Sequence, residues 1–175
     1  MILGFRTHID GKETHFVDKI WQSFKEDVFT SENWGKHVIG YVKKFKKSPF
    51  TLKVNKPKLH TIREDKGNLW KAGKDIHFVI INRTKNRFQF APVIQVKSVQ
   101  RITIDYSISE SKLPYIAINR TISEWKQLNP NNHIEYITEL QELAQNDGFD
   151  SWEEFLNYFN KDFKGKIIHW TDLRY

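Results

Sequence analysis

Gly73-Lys-Asp-Ile76-His77-Phe78-Val79-Ile80-Ile81 is the stretch on which the fold turns. Side chains alternate between the two sides of an extended chain, so Ile76, Phe78 and Ile80 share one face while His77, Val79 and Ile81 share the other. Both faces are mainly apolar, which places the strand in the middle of a sheet rather than at its rim. Outward from it, Pro92 has no amide to donate to a ladder, so a following strand, Val93 to Ile104, is expected to start just beyond it. Ile2 to Phe5 reads as a short strand at one end of the chain, and Lys166 to Thr171 as a strand at the other.

The flanks have helical spacing. Phe16, Ile20 and Phe24 recur every four residues with Val17 and Trp21 beside them, and Thr14 is placed to cap the helix. Trp34, Val38, Val42 and Phe45 have the same spacing despite Gly35 and Gly40, and Lys43, Lys44, Lys46 and Lys47 make that stretch strongly basic. Ile134, Ile137, Leu140 and Leu143 form a stripe that stops at Asp147-Gly148, where glycine can take the left-handed conformation that follows many helices. Ser151-Trp-Glu-Glu154 is a capping box, and Trp152, Phe155, Leu156 and Phe159 mark the buried side of the helix it opens. From Lys53 to Gly67 the pattern is irregular, and Pro57 pushes Lys56 toward an extended conformation, which suits an exposed loop or a strand edge. The class is α+β, with strands between N-terminal and C-terminal helices.

A chain of 175 residues with 39% hydrophobic and 14% aromatic content can close one core, so a single domain is expected and an intrinsically disordered chain is excluded. With no cysteine there is neither a disulfide framework nor a thiolate metal site, and the cytoplasm is the expected compartment. Met1 to Asp10 lacks a signal-peptide pattern and no apolar run approaches the roughly 20 residues of a membrane span, so no membrane partner is expected. The histidines at 8, 15, 37, 60, 77, 133 and 169 lack zinc-site spacing, and no Gly-rich phosphate loop or nucleophile elbow is present, so no metal or cofactor is expected. Charge is uneven along the chain. Through Arg101 there are 21 Lys and Arg against 9 Asp and Glu; beyond it there are 7 against 12. A polyanion surface in the first part, with nucleic acid its leading partner, stands beside the plainer reading that basic surface serves solubility.

Lys58-Leu-His-Thr61-Ile-Arg63, then Trp70-Lys-Ala-Gly73, then Arg83-Thr-Lys85, followed in the tail by Asp147-Gly148-Phe149 and His169-Trp170, form an ordered set. This set resembles the ASCH family. The resemblance implies a PUA-like mixed β pseudobarrel flanked by helices, with about 27–53 as a basic insertion and a cleft that binds RNA or a modified nucleotide. In one branch, which removes acetyl from N4-acetylcytidine, it implies Thr61 as nucleophile, Lys58 as its base and a carboxylate from the tail, here Asp147. Ribonuclease activity and a non-catalytic protein-interaction role are the alternatives. Arg63, Arg83, Lys85 and Arg87 have the forks and ammonium groups that match phosphate oxygens. His60 either meets ligand or faces solvent, and Trp70 either stacks on a base or, as is commoner for an aromatic before a strand, belongs to the core.

Overall fold

The computed structural model describes residues 1–46, 56–107, 113–119 and 125–175. In chain order the elements are β1 (Ile2–Phe5), β2 (His8–Ile9), β3 (Lys12–Glu13), α1 (Phe16–Trp21), α2 (Ser31–Phe45), β4 (His60–Arg63), β5 (Asp75–Ile80), β6 (Phe88–Gln89), β7 (Ile94–Gln95), β8 (Ser98–Asp105), β9 (Tyr115–Asn119), β10 (Trp125–Leu128), α3 (His133–Asn146), α4 (Trp152–Tyr158) and β11 (Phe163–His169). The class is mixed α+β, and none of the described sheets closes into a barrel. The chain folds into two compact units, 1–58 with 74–95 and 59–73 with 96–175.

In the first unit β5 is central. β1 pairs with it in parallel, Ile2 opposite His77 and Gly4 opposite Val79, while β6 and β7 pair with it antiparallel. One face of this sheet is the core: Leu3, Phe5, Ile76, Phe78 and Ile80 are buried, Phe5 stacks on Phe78, and Phe90 packs against both. Ile81 is not part of the strand. It has φ of 52° and is exposed, so the chain has already turned where the alternating pattern predicts continued extension.

α1 is shorter than its sequence stripe, ending before Phe24, which meets Trp21 and Phe78 from the turn that follows. The cap position falls on His15 rather than Thr14, whose Oγ1 still accepts from the Phe16 amide at 3.4 Å. The helix expected around Trp34 to Phe45 forms in spite of its two glycines. Thr30 caps it by accepting from Asn33 N, Trp34 and His37 pack on Trp21, and Tyr41 and Phe45 pack on Phe88. Tertiary contact outweighs a propensity cost of roughly 1 kcal/mol per glycine. The rest of the expected insertion, 47–53 with Lys47, lies outside the described residues.

The second unit is built on a five-stranded antiparallel sheet in the order β10-β9-β8-β11-β4. The strand expected from Val93 to Ile104 is two pieces, because the chain leaves the first unit after Gln95 and β8 starts at Ser98. α3 buries Tyr136, Leu140, Leu143 and Ala144, while Ile134, first in the predicted stripe, is exposed. At its end Phe149 N donates to Ala144 O and Gly148 N to Gln145 O, the paired bonds of a Schellman motif. Ser151 Oγ accepts from Glu154 N as the capping box requires, but the Glu154 carboxylate reaches back to the Asp150 amide rather than that of Ser151. Among the described residues no helix is long and apolar enough to cross a membrane.

Candidate functional site

Of the two forms that the irregular pattern allows, an exposed loop and a strand edge, the segment carrying His60, Thr61 and Arg63 takes the second. His60–Arg63 is a strand at the end of the second unit's sheet, held antiparallel to β11 with His60 opposite His169 and Thr61 opposite Ile168. His60, Thr61 and Ile62 are buried. His60 therefore does not face solvent: its Nε2 lies 2.7 Å from the Tyr175 hydroxyl, and its ring meets that of His169 edge-on at 5.2 Å.

Asp147 is buried at the C-terminal end of α3, where the helix dipole disfavours negative charge. Its position has a local reason: Oδ1 accepts from the Ile62 amide at 3.0 Å and lies 3.6 Å from His60 Nδ1. The helix end and the strand bearing Thr61 are thus tied through one carboxylate. Tyr175 adds a second tie, because its hydroxyl accepts from Asn146 Nδ2 while its backbone pairs with the Gln100 side chain in both directions. Burial raises the Tyr175 pKa, which keeps the phenol neutral. Lys58 is equally buried, but in the first unit, with its ammonium 4.7 Å above the Phe16 ring and its amide donating to Lys19 O.

Trp70 belongs to the core. Its backbone is fixed by Asp65 and Lys166: Asp65 accepts from the Leu69 and Trp70 amides, and Lys166 Nζ donates to Trp70 O, to Asn68 and, at 2.7 Å, to the Asp65 carboxylate. Burial opposes ionisation of Asp65, yet the hydrogen bond from Lys166 and those from the two amides outweigh it and hold its pKa below the usual value. This clamp shapes the loop after β4. Nothing in the spacing of Asp65 and Lys166 announced it, since the two meet only through the β4–β11 pairing.

Exposed cations occur in both units, and one group of them lies on a single turn of the first. After β5 the chain turns through 81–87 with Arg83 at φ 62°, and Arg83, Lys85 and Arg87 are exposed there. α2 ends against the same turn, because Lys44 Nζ donates to Arg87 O at 2.9 Å while Tyr41 and Phe45 pack on Phe88. Lys43, Lys44 and Lys46 are thereby joined to Arg83, Lys85 and Arg87 across some forty residues of sequence. The turn carries no carboxylate. Arg63, the fourth expected phosphate contact, is half-buried on β4 of the second unit. Among the described residues no group of three or more His, Asp or Glu side chains is placed to hold a metal ion.

Of the residues singled out in the sequence, the structure brings Arg83 and Lys85 together with the α2 lysines, and His60 and Thr61 together with Asp147. Tyr175, Asp65 and Lys166 were not singled out, and His169 entered only with Trp170 as the close of the ordered set, with no role at a site. For His169 the signal was the strand assignment: once β4 and β11 pair, the two histidines fall opposite one another. Comparison of the chain with protein-family models, curated protein sequences and solved structures finds no match.

Proposed function

We propose that this chain is a cytoplasmic RNA-binding domain of ASCH type on a PUA-like pseudobarrel, and that it holds phosphates on the ridge formed by Lys43, Lys44, Lys46, Arg83, Lys85 and Arg87. The observation that carries the reading is the docking of the α2 end on the 81–87 turn, which concentrates six cations from two distant segments. Dispersed cations on a merely soluble surface need no such meeting point. The ASCH assignment is supported by the pairing of the Lys-x-x-Thr-x-Arg strand with the closing strand and by the two C-terminal helices preceding it. Titration of labelled RNA at two ionic strengths tests the function. Affinity should fall steeply with salt, and replacing Lys43, Arg83 and Lys85 by Gln should weaken binding and flatten the salt dependence; no binding at low salt, or binding indifferent to salt, overturns it.

Hydrolysis of an acylated cytosine is a second reading, favoured by the Asp147 carboxylate reaching the strand that bears Thr61. In the branch that the chain resembles, Thr61 supplies the hydroxyl and the tail carboxylate, here Asp147, the orienting charge; Lys58, the base of that pattern, belongs to the first unit. Incubation with N4-acetylcytidine should then yield cytidine by mass, and Thr61→Ala should abolish the conversion while the protein stays folded. Intact N4-acetylcytidine after incubation with wild type sinks the hydrolytic reading and leaves the binding one standing.

A further inference from the structure

The sheet of the first unit has a second face. Because side chains alternate along each strand, the residues that point away from the Phe5–Phe78 face share one side: Ile2 on β1, His77 and the still buried Val79 on β5, and Gln89 on β6. The register places them together, with Ile2 opposite His77 and Val79 opposite Gln89. Between them lies an open cleft of about 430 Å³, lined also by Met1 and Arg87. A volume of this size lies within the range of small-molecule sites.

The polar groups of the cleft are arranged rather than scattered. Gln89 Nε2 donates to Ala91 O at 3.0 Å, which fixes the amide orientation and turns its Oε1 toward His77 Nδ1 at 3.2 Å. His77 must therefore carry its proton on Nδ1, and Nε2 is left as an acceptor. The Gln89 amide keeps one further N–H. An acceptor and a donor side by side, with the exposed apolar side chain of Ile2 next to them, match the hydrogen-bonding edge and the flat face of a nucleobase. Arg87 belongs both to this cleft and to the ridge turn, so a chain whose phosphates follow the ridge passes the cleft mouth.

We propose that this cleft seats one unpaired base of a single-stranded RNA, read by His77 and Gln89, with the Arg87 guanidinium on the adjoining phosphate. The inference rests on the RNA-binding reading above and adds to it a preference for single strands, since a base held in a duplex keeps its edge and faces occupied. Stacked or pocketed bases contribute roughly 1–3 kcal/mol each, so loss of one such contact is read as about a tenfold or greater change in affinity.

The test compares labelled single-stranded and duplex RNA of equal length on wild type, Gln89→Leu, Gln89→Glu and the ridge variant. Wild type should prefer the single strand. The two Gln89 variants should lose about tenfold on the single strand while duplex affinity and salt dependence stay unchanged in Gln89→Leu; the ridge variant should weaken both RNAs. Gln89→Leu that binds the single strand like wild type, or weakens both RNAs equally, overturns the cleft assignment and leaves the ridge intact. A wild type that binds neither RNA overturns the ridge reading instead. The cleft is then judged by NMR of the His77 ring during titration with the four nucleoside 5′-monophosphates, where a saturable shift supports it and its absence overturns it. Unchanged circular dichroism confirms that each variant is folded.

Discussion

His169 ends β11 with its ring wholly buried, and neither ring nitrogen has a hydrogen-bond partner among the described residues. Burial, together with the neighbouring His60 and Arg174, pushes its pKa down to about 2. Near neutral pH the ring is uncharged in both the folded and the unfolded chain. Below about pH 6.5 the unfolded chain takes up a proton that the folded one refuses, so stability falls as pH falls from there toward the folded value. One such group removes about 1.4 kcal/mol per pH unit, or about 2 kcal/mol between pH 6.5 and pH 5. Urea midpoints at pH 7 and pH 5 should therefore differ clearly for wild type and less for His169→Leu. An identical pH dependence in the two proteins would mean that this ring is not the refusing group. Position 169 was visible in the sequence as a strand residue beside Trp170; its titration depends on what surrounds it.

The turn between α3 and α4 shows how far local sequence carries an element. Asp147-Gly148 predicts the helix stop, and Gly148 takes φ of 91°, from which both Schellman bonds follow. A β-branched side chain is strained in that conformation, so Gly148→Val should cost at least about 1 kcal/mol, seen as a lower denaturation midpoint. An unchanged midpoint would mean that the turn relaxes at no cost. Gly165 is required for a reason that no local rule reveals, since a Cβ there would lie 2.5 Å from the Arg63 carbonyl oxygen across the β4–β11 pair. The stripe of α3 is likewise incomplete as a guide: Tyr136, whose hydroxyl donates to Pro114 O, enters the core and Ile134 does not. Periodicity finds the face of a helix to within a residue or two, and the packing partner selects which residues fill it.

At the scale of the whole molecule, the excess of cations through Arg101 becomes meaningful once it is divided by position. Lys58 is buried and Lys166 and Arg63 are half-buried, the two lysines with specific partners, so none of them belongs to an open polyanion surface. The ridge cations are exposed, as are others through Arg101, Lys66 and Lys71 among them. Each phosphate they neutralise adds about 0.7 to the slope of log affinity against log salt for a single strand, so removing three contacts should reduce that slope by about two. A slope that does not change places the phosphate path elsewhere on the chain.

The sequence by itself determined the α+β class, the central position of β5, the helices α2, α3 and α4, the glycine stop of α3 and the serine cap of α4, because these follow from interactions within a few residues: alternation, helical spacing, a serine and glutamate three apart, a glycine after a helix. It also determined that the excess positive charge lies in the stretch through Arg101. Only the tertiary structure decided that His60, Thr61 and Ile62 are buried on a strand, that Asp147 holds the Ile62 amide, that His60 meets His169, and that the end of α2 meets the 81–87 turn beside a cleft lined by His77 and Gln89. Each of these depends on strand register or on a helix docking between residues distant in sequence. Such contacts are set by the free energy of burying the whole core, to which no single stretch of sequence holds the key.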